Sequence, residues 1–117
     1  MTSRLSKDLR ALAKVRDVRH SLTAKEKTVT TAGTAEPLLV EAETRVTALT
    51  IIAKTGNTGQ VYVGDYQVSS SSNDGLDAGE SLNMRTDEGW FDLSHIFIDV
   101  DTNAEGVDFY YVTYVEG

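Results

Sequence analysis

The sequence predicts a mainly β protein: an antiparallel β-sandwich or jelly-roll-like body of about eight short strands, preceded by an amphipathic helical arm. Three observations carry this. The apolar pattern changes from a period of about 3.6 residues before Lys27 to a period of about 2 after it. Charge changes at the same place: residues 1–27 hold eight Lys/Arg against three acids, net +5, and residues 28–117 hold three against fifteen, net -12. All nine aromatic residues lie at Tyr62 or beyond. The 117-residue chain therefore divides into a basic helical arm, 1–27, and an acidic body, 28–117.

The arm comes first. From Ser3 to about Leu22 there is no Pro or Gly, and Leu, Ala, Lys and Arg dominate, all good helix formers. Ser3 suits the N-cap, where its hydroxyl accepts from an orphaned backbone N–H. Leu5, Leu9 and Leu12 fall on one stripe with Val15 at its border; the stripe then continues with Arg16 and Arg19. Lys7, Arg10 and Lys14 take the opposite face. A lone helix of this length is marginal in water, so it has to lie on some surface. That surface is its own sheet, as in an ordinary layered domain, or a second chain, with the leucines gripping and Arg16 and Arg19 meeting carboxylates of an acidic body. Nucleic acid is disfavoured as a partner: the arm has no aromatic side chains for stacking, and the body repels a polyanion.

In the body, Val29 to Thr31 and Leu38 to Val40 are short β-prone runs separated by Gly33 and Pro37. Arg45 to Lys54 is a longer strand rich in β-branched residues, and Thr55 to Gly59 is a turn. Gln60 to Val63 is expected to pair with Tyr66 to Ser69 through Gly64–Asp65, since glycine first in a two-residue loop suits a type II′ hairpin. Ser69 to Gly75 is a polar loop. Leu76 to Glu80 turns into a strand at Ser81 to Met84, and Thr86 to Gly89 precedes Trp90 and Phe91. Ile96, Ile98 and Val100 alternate onto one face. The last strand, Val107 to Val115, sets Val107, Phe109 and Tyr111 against Tyr110, Val112 and Tyr114; bulk on both faces predicts a central position. Short strands with turn signals every eight to twelve residues make a sandwich or a barrel.

No residue pattern points to catalysis. With no cysteine, disulfides, thiolate metal sites and thiol nucleophiles are excluded. Serines 69 to 72 lack the glycine-flanked elbow of a hydrolase nucleophile, the glycine-rich stretches lack a phosphate-binding lysine, and His20 and His95 have no partner at ligand spacing. The expectation is a non-enzyme without a cofactor. One loop invites a cation: Asp99, Asp101, Asn103 and Glu105 alternate oxygen donors as an EF-hand loop does. Ala104 stands where that loop requires glycine and Tyr110 where it requires glutamate, so the other reading is a polar hairpin loop holding itself by side-chain-to-backbone bonds. Trp90 and Phe91 fit an interface anchor or the core equally well. No run approaches the ~20 apolar residues of a membrane span, and the basic N-terminal residues do not form a secretory signal; synthesis inside the cell, without a membrane partner, is expected.

A set of motifs in fixed order adds to this. VTTAGTA (29–35), TGNTGQVYVGD (55–65), the serine loop 69–73, LDAGESL (76–82), DLSHIFIDV (92–100) and EGV (105–107) before an aromatic strand together resemble small β-rich virion proteins of tailed bacteriophages and prophages. The resemblance covers about residues 28 to 115 and leaves out the basic arm. It implies a structural subunit of a phage particle, assembled in the host cytoplasm, whose partners are copies of itself and the major capsid or neck and tail proteins. A capsid decoration or cement protein heads that expectation, with a neck or tail component second. A receptor- or glycan-binding module with an aromatic platform of Trp90, Tyr62, Tyr66 and Tyr110 is a third possibility.

Overall fold

The computed structural model describes residues 22–40 and 44–113. They form eight strands: β1 (Leu22–Val29), β2 (Glu36–Pro37), β3 (Arg45–Ala53), β4 (Val61–Gly64), β5 (Ser81–Arg85), β6 (Phe91–Asp92), β7 (Phe97–Val100) and β8 (Glu105–Thr113). A five-stranded antiparallel sheet runs β1-β8-β3-β5, with β6 also paired to β3, and a three-stranded antiparallel sheet runs β2-β7-β4. The inner faces meet in an apolar core. Val46, Leu49, Ile51, Val107 and Phe109 come from the larger sheet, Val61, Ile98 and Val100 from the smaller, all almost fully buried. β8 is central between β1 and β3, as its two bulky faces predict.

The chain crosses between the sheets repeatedly, and the two ends of the sandwich close differently. At one end three crossovers lie together: residues 30–35 (β1 to β2), 54–60 (β3 to β4) and 101–104 (β7 to β8). The opposite end is plugged by Leu38 and Leu93, both buried, with the Leu38 N–H donating to the Ile96 carbonyl at 2.9 Å. A 3-10 turn at Leu93–His95 enters β7 here, its N-cap Asp92 accepting from the Ser94 N–H. Leu22 and Thr113 also sit at this second end.

Four expectations are corrected. Leu22–Lys27, assigned by charge to the arm, are most of strand β1, so the body begins at least as early as Leu22. Its polar side chains hide the strand: only Val29 is fully buried, and β8 supplies the pairing that the residues themselves do not advertise. The hairpin through Gly64–Asp65 does not form; β4 pairs instead with β7. Asp65 turns the chain, its carboxylate accepting from the Gln67 N–H at 2.9 Å and its carbonyl from the Val68 N–H at 2.9 Å, and buried Val68 packs under Gly64. Leu38 follows β2 as a core plug, with Leu39 and Val40 also outside it. Finally, 101–104 is no hairpin loop, because β7 and β8 lie in different sheets.

Candidate functional site: a polar clasp and an outer sheet face

The oxygen-rich run from Asp99 to Glu105 lies at the end where the three crossovers meet, and each of its four side chains accepts from main-chain N–H groups. Asp99, buried among apolar neighbours on β7, accepts from Gly33 at 2.9 Å and from Val100 at 2.8 Å. Asn103 accepts from Ala32 at 2.8 Å. These two hold the first crossover. Asp101 accepts from the Gln60 N–H at 3.0 Å and from the Tyr62 hydroxyl at 3.1 Å. Glu105 is bidentate, accepting from Thr58 at 2.8 Å and Gly59 at 3.0 Å. These two hold the second. Asn57 completes the lock by donating to the Gly106 carbonyl at 2.8 Å.

The geometry explains the spacing. Residues at i, i+2, i+4 and i+6 leaving a strand can reach loops on two sides of a sandwich end, and carboxylates are the strongest acceptors for orphaned N–H groups. The oxygens diverge toward separate loops instead of converging on one point, and among the described residues no three His, Asp or Glu side chains gather into a metal-sized cluster. Ala104 takes a left-handed φ of 68°, and its N–H donates to the Val29 carbonyl at 2.8 Å. Electrostatics follow: the Gly59 N–H, then the Thr58 N–H, holds the Glu105 carboxyl below the ordinary glutamate range. Burial, then the hydrogen bond to Asp101, pushes the Tyr62 hydroxyl up.

The outer face of the five-stranded sheet is a second distinct surface. Alternation with the buried residues puts Leu22, Ala24 and Glu26 of β1 beside Val112, Tyr110 and Asp108 of β8, followed by Ala48, Thr50 and Ile52 of β3. The rows at the Leu22 end are mostly apolar: Leu22 is 71% exposed and Tyr110 40%, with Thr50 the polar member. The third row is charged, with Lys54 Nζ donating to Glu26 at 2.6 Å and to Asp108 at 2.8 Å. Those two carboxylates raise the Lys54 pKa, Asp108 contributing most. A shallow groove lined by Ala24, Lys25, Glu26, Asp108 and Tyr110 runs along the face. None of this was legible beforehand, because β1 reads as part of a helix.

The remaining candidates divide. Trp90 is 42% exposed and stacks under the Arg45 guanidinium, 4.4 Å from ring centroid to Cζ; Phe91 packs against the core. Tyr62 is buried under Gly75 and Gln60, so the aromatic platform loses that member, while Tyr66 and Tyr110 remain exposed. His95 is exposed and Ser69–Ser72 hydrogen-bond among themselves. Leu5, Leu9, Leu12, Val15, Arg16, Arg19 and His20 lie outside the described residues, as does the predicted helix itself. No family model, curated protein or solved structure matches the chain.

Proposed function

We propose that the protein is a non-enzymatic structural subunit of a tailed-phage particle, a capsid decoration or cement protein whose N-terminal segment binds neighbouring subunits. The observation that carries the reading is the ordered motif set from Val29 to Val107, which resembles such virion proteins. Its residues have architectural tasks: VTTAGTA, TGNTGQV and the run through Asp99 to Glu105 are the three crossovers and the side chains that clasp them. A domain whose distinctive polar residues are committed to holding main-chain loops has the make-up of a scaffold. The electrostatic division supports the arm's role: residues 1–21 hold six Lys/Arg against two Asp, and the remainder carries five against sixteen acids. Opposite potentials on one chain favour contacts between copies.

Electron microscopy and quantitative mass spectrometry of purified particles test the reading. Hundreds of copies on the head are expected; about six or twelve would move it to a neck or tail ring, as closed cyclic symmetry dictates. Absence from particles would overturn it. Deletion of residues 1–20, which spares β1, is expected to leave a folded sandwich that no longer joins the particle.

A further inference from the structure

We propose that residues 1–21 of a second copy dock on the outer face of the five-stranded sheet, leucines over the row of Leu22 and Val112 and arginines over Glu26 and Asp108. This rests on the reading above only in assigning the arm to self-assembly, and it names the surface that receives it.

The match is one of polarity. Along β1 the outer face runs from apolar at Leu22, through Ala24 and Tyr110, to carboxylate at Glu26 and Asp108. Four strand residues separate the first row from the charged one, about 13 Å. The arm's stripe, as the helix its periodicity predicts, runs in the same order: Leu5, Leu9 and Leu12, then Arg16 and Arg19. Leu9 to Arg19 spans about 15 Å of helix. A helix parallel to β1 therefore sets each half of its stripe on its own kind of surface. The two carboxylates share one lysine, so the row keeps an excess negative charge for the arginines.

The same geometry argues against an arm folded on its own sheet. Arg19 is three residues from Leu22, so a chain doubling back at Leu22 would lay its cationic end over the apolar rows and its leucines over the charged row. The β1 edge is a poorer receptor than the face. Two copies paired edge to edge about a two-fold normal to the sheet place residues of equal parity opposite each other. In the two registers of greatest overlap Lys25 then meets Lys25 or Lys27, a like-charge arrangement that protects edges.

The natural absence of cysteine makes cross-linking clean. Full-length Ala13→Cys and full-length Ala24→Cys, each alone in one preparation, are mixed and oxidised. A disulfide dimer between the two variants is expected. Adding Arg16→Glu and Arg19→Glu to the Ala13→Cys chain should cut its yield about tenfold or more, one decade corresponding to 1.4 kcal/mol. Tyr110→Glu in the Ala24→Cys chain should do the same, with circular dichroism confirming its fold. No mixed dimer, or a double Ala13→Cys/Ala24→Cys chain that cross-links only within a monomer, overturns the proposal. The assay needs no phage particle: a mixed dimer from a protein absent from virions would sink the assigned function alone, and a virion protein that gives no dimer would sink the docking alone.

Discussion

At the level of single residues the molecule is held by oxygens aimed at main-chain nitrogen. Asp99, Asp101, Asn103 and Glu105 look in sequence like the start of a cation loop, and their alternation is real, but its purpose is to reach two crossovers at once. Spacing alone cannot separate the two uses, because both need acceptors on alternate residues; the direction of the side chains decides. Ala104 marks the tension in this turn. A left-handed alanine costs about 1–2 kcal/mol, and glycine there would lose about 0.5–1 kcal/mol in chain entropy. The first term wins, so Ala104→Gly is expected to stabilise the protein by about 0.5–1 kcal/mol, read as a higher denaturant midpoint at unchanged slope. A lower midpoint would mean that the φ of 68° carries little strain.

Among the elements, β3 was readable from its β-branched residues, and β7 and β8 from apolar residues that alternate onto the core face: Ile98 and Val100; Val107, Phe109 and Tyr111. β1 was not, since Lys25, Glu26 and Lys27 give it no apolar face; it forms because β8 offers a full ladder and Lys27 reaches Glu36 of the other sheet at 2.7 Å. Gly106 permits that approach. A Cβ there would strike the Lys27 carbonyl and lie 2.7 Å from Thr28 Cα, whereas one at Gly56 meets nothing within 4 Å. Gly106→Ala should therefore cost about 2–3 kcal/mol and expose β1 amides to hydrogen exchange, by analogy with other overpacked sites. Gly56→Ala is the control, expected to fall within about 0.5 kcal/mol of the parent. If Gly106→Ala leaves β1 protected, the strand does not depend on close backbone contact.

For the whole molecule the charge pattern sets a pH profile. Glu105, through the Gly59 and Thr58 N–H groups, and Glu36, through Lys27 and the Thr30 N–H, are held below the ordinary glutamate value. Carboxyls whose pKa falls on folding stabilise the fold above the unfolded value of about 4.3, and that contribution disappears as pH falls through their folded values. Lys54 and Tyr62 are raised, so theirs is complete below about pH 10 and disappears as pH climbs through the folded values. Denaturant midpoints followed from strong acid to strong base should thus form a plateau with loss at both edges, and Glu105→Gln should flatten the acid edge. An unchanged acid edge in that variant would remove the clasp from the account. The sandwich and its central strand were legible at this scale; the division into sheets was not, because crossovers and hairpins draw on the same Gly, Asn and Asp vocabulary.

The clasp has an evolutionary corollary. Its acceptors are particular side chains, but most of what they grip is peptide backbone, which every residue except proline supplies. The clasp itself therefore asks of the gripped positions only that they are not proline, and what fixes their identities comes from elsewhere: Ala32 packs against the core, Gly33 has a φ of 93°, and the Gln60 amide donates to Asp77. The fastening adds its own constraint at Gly59, where an added Cβ would sit 2.6 Å from Asp101 Cβ, and at the four gripping residues themselves.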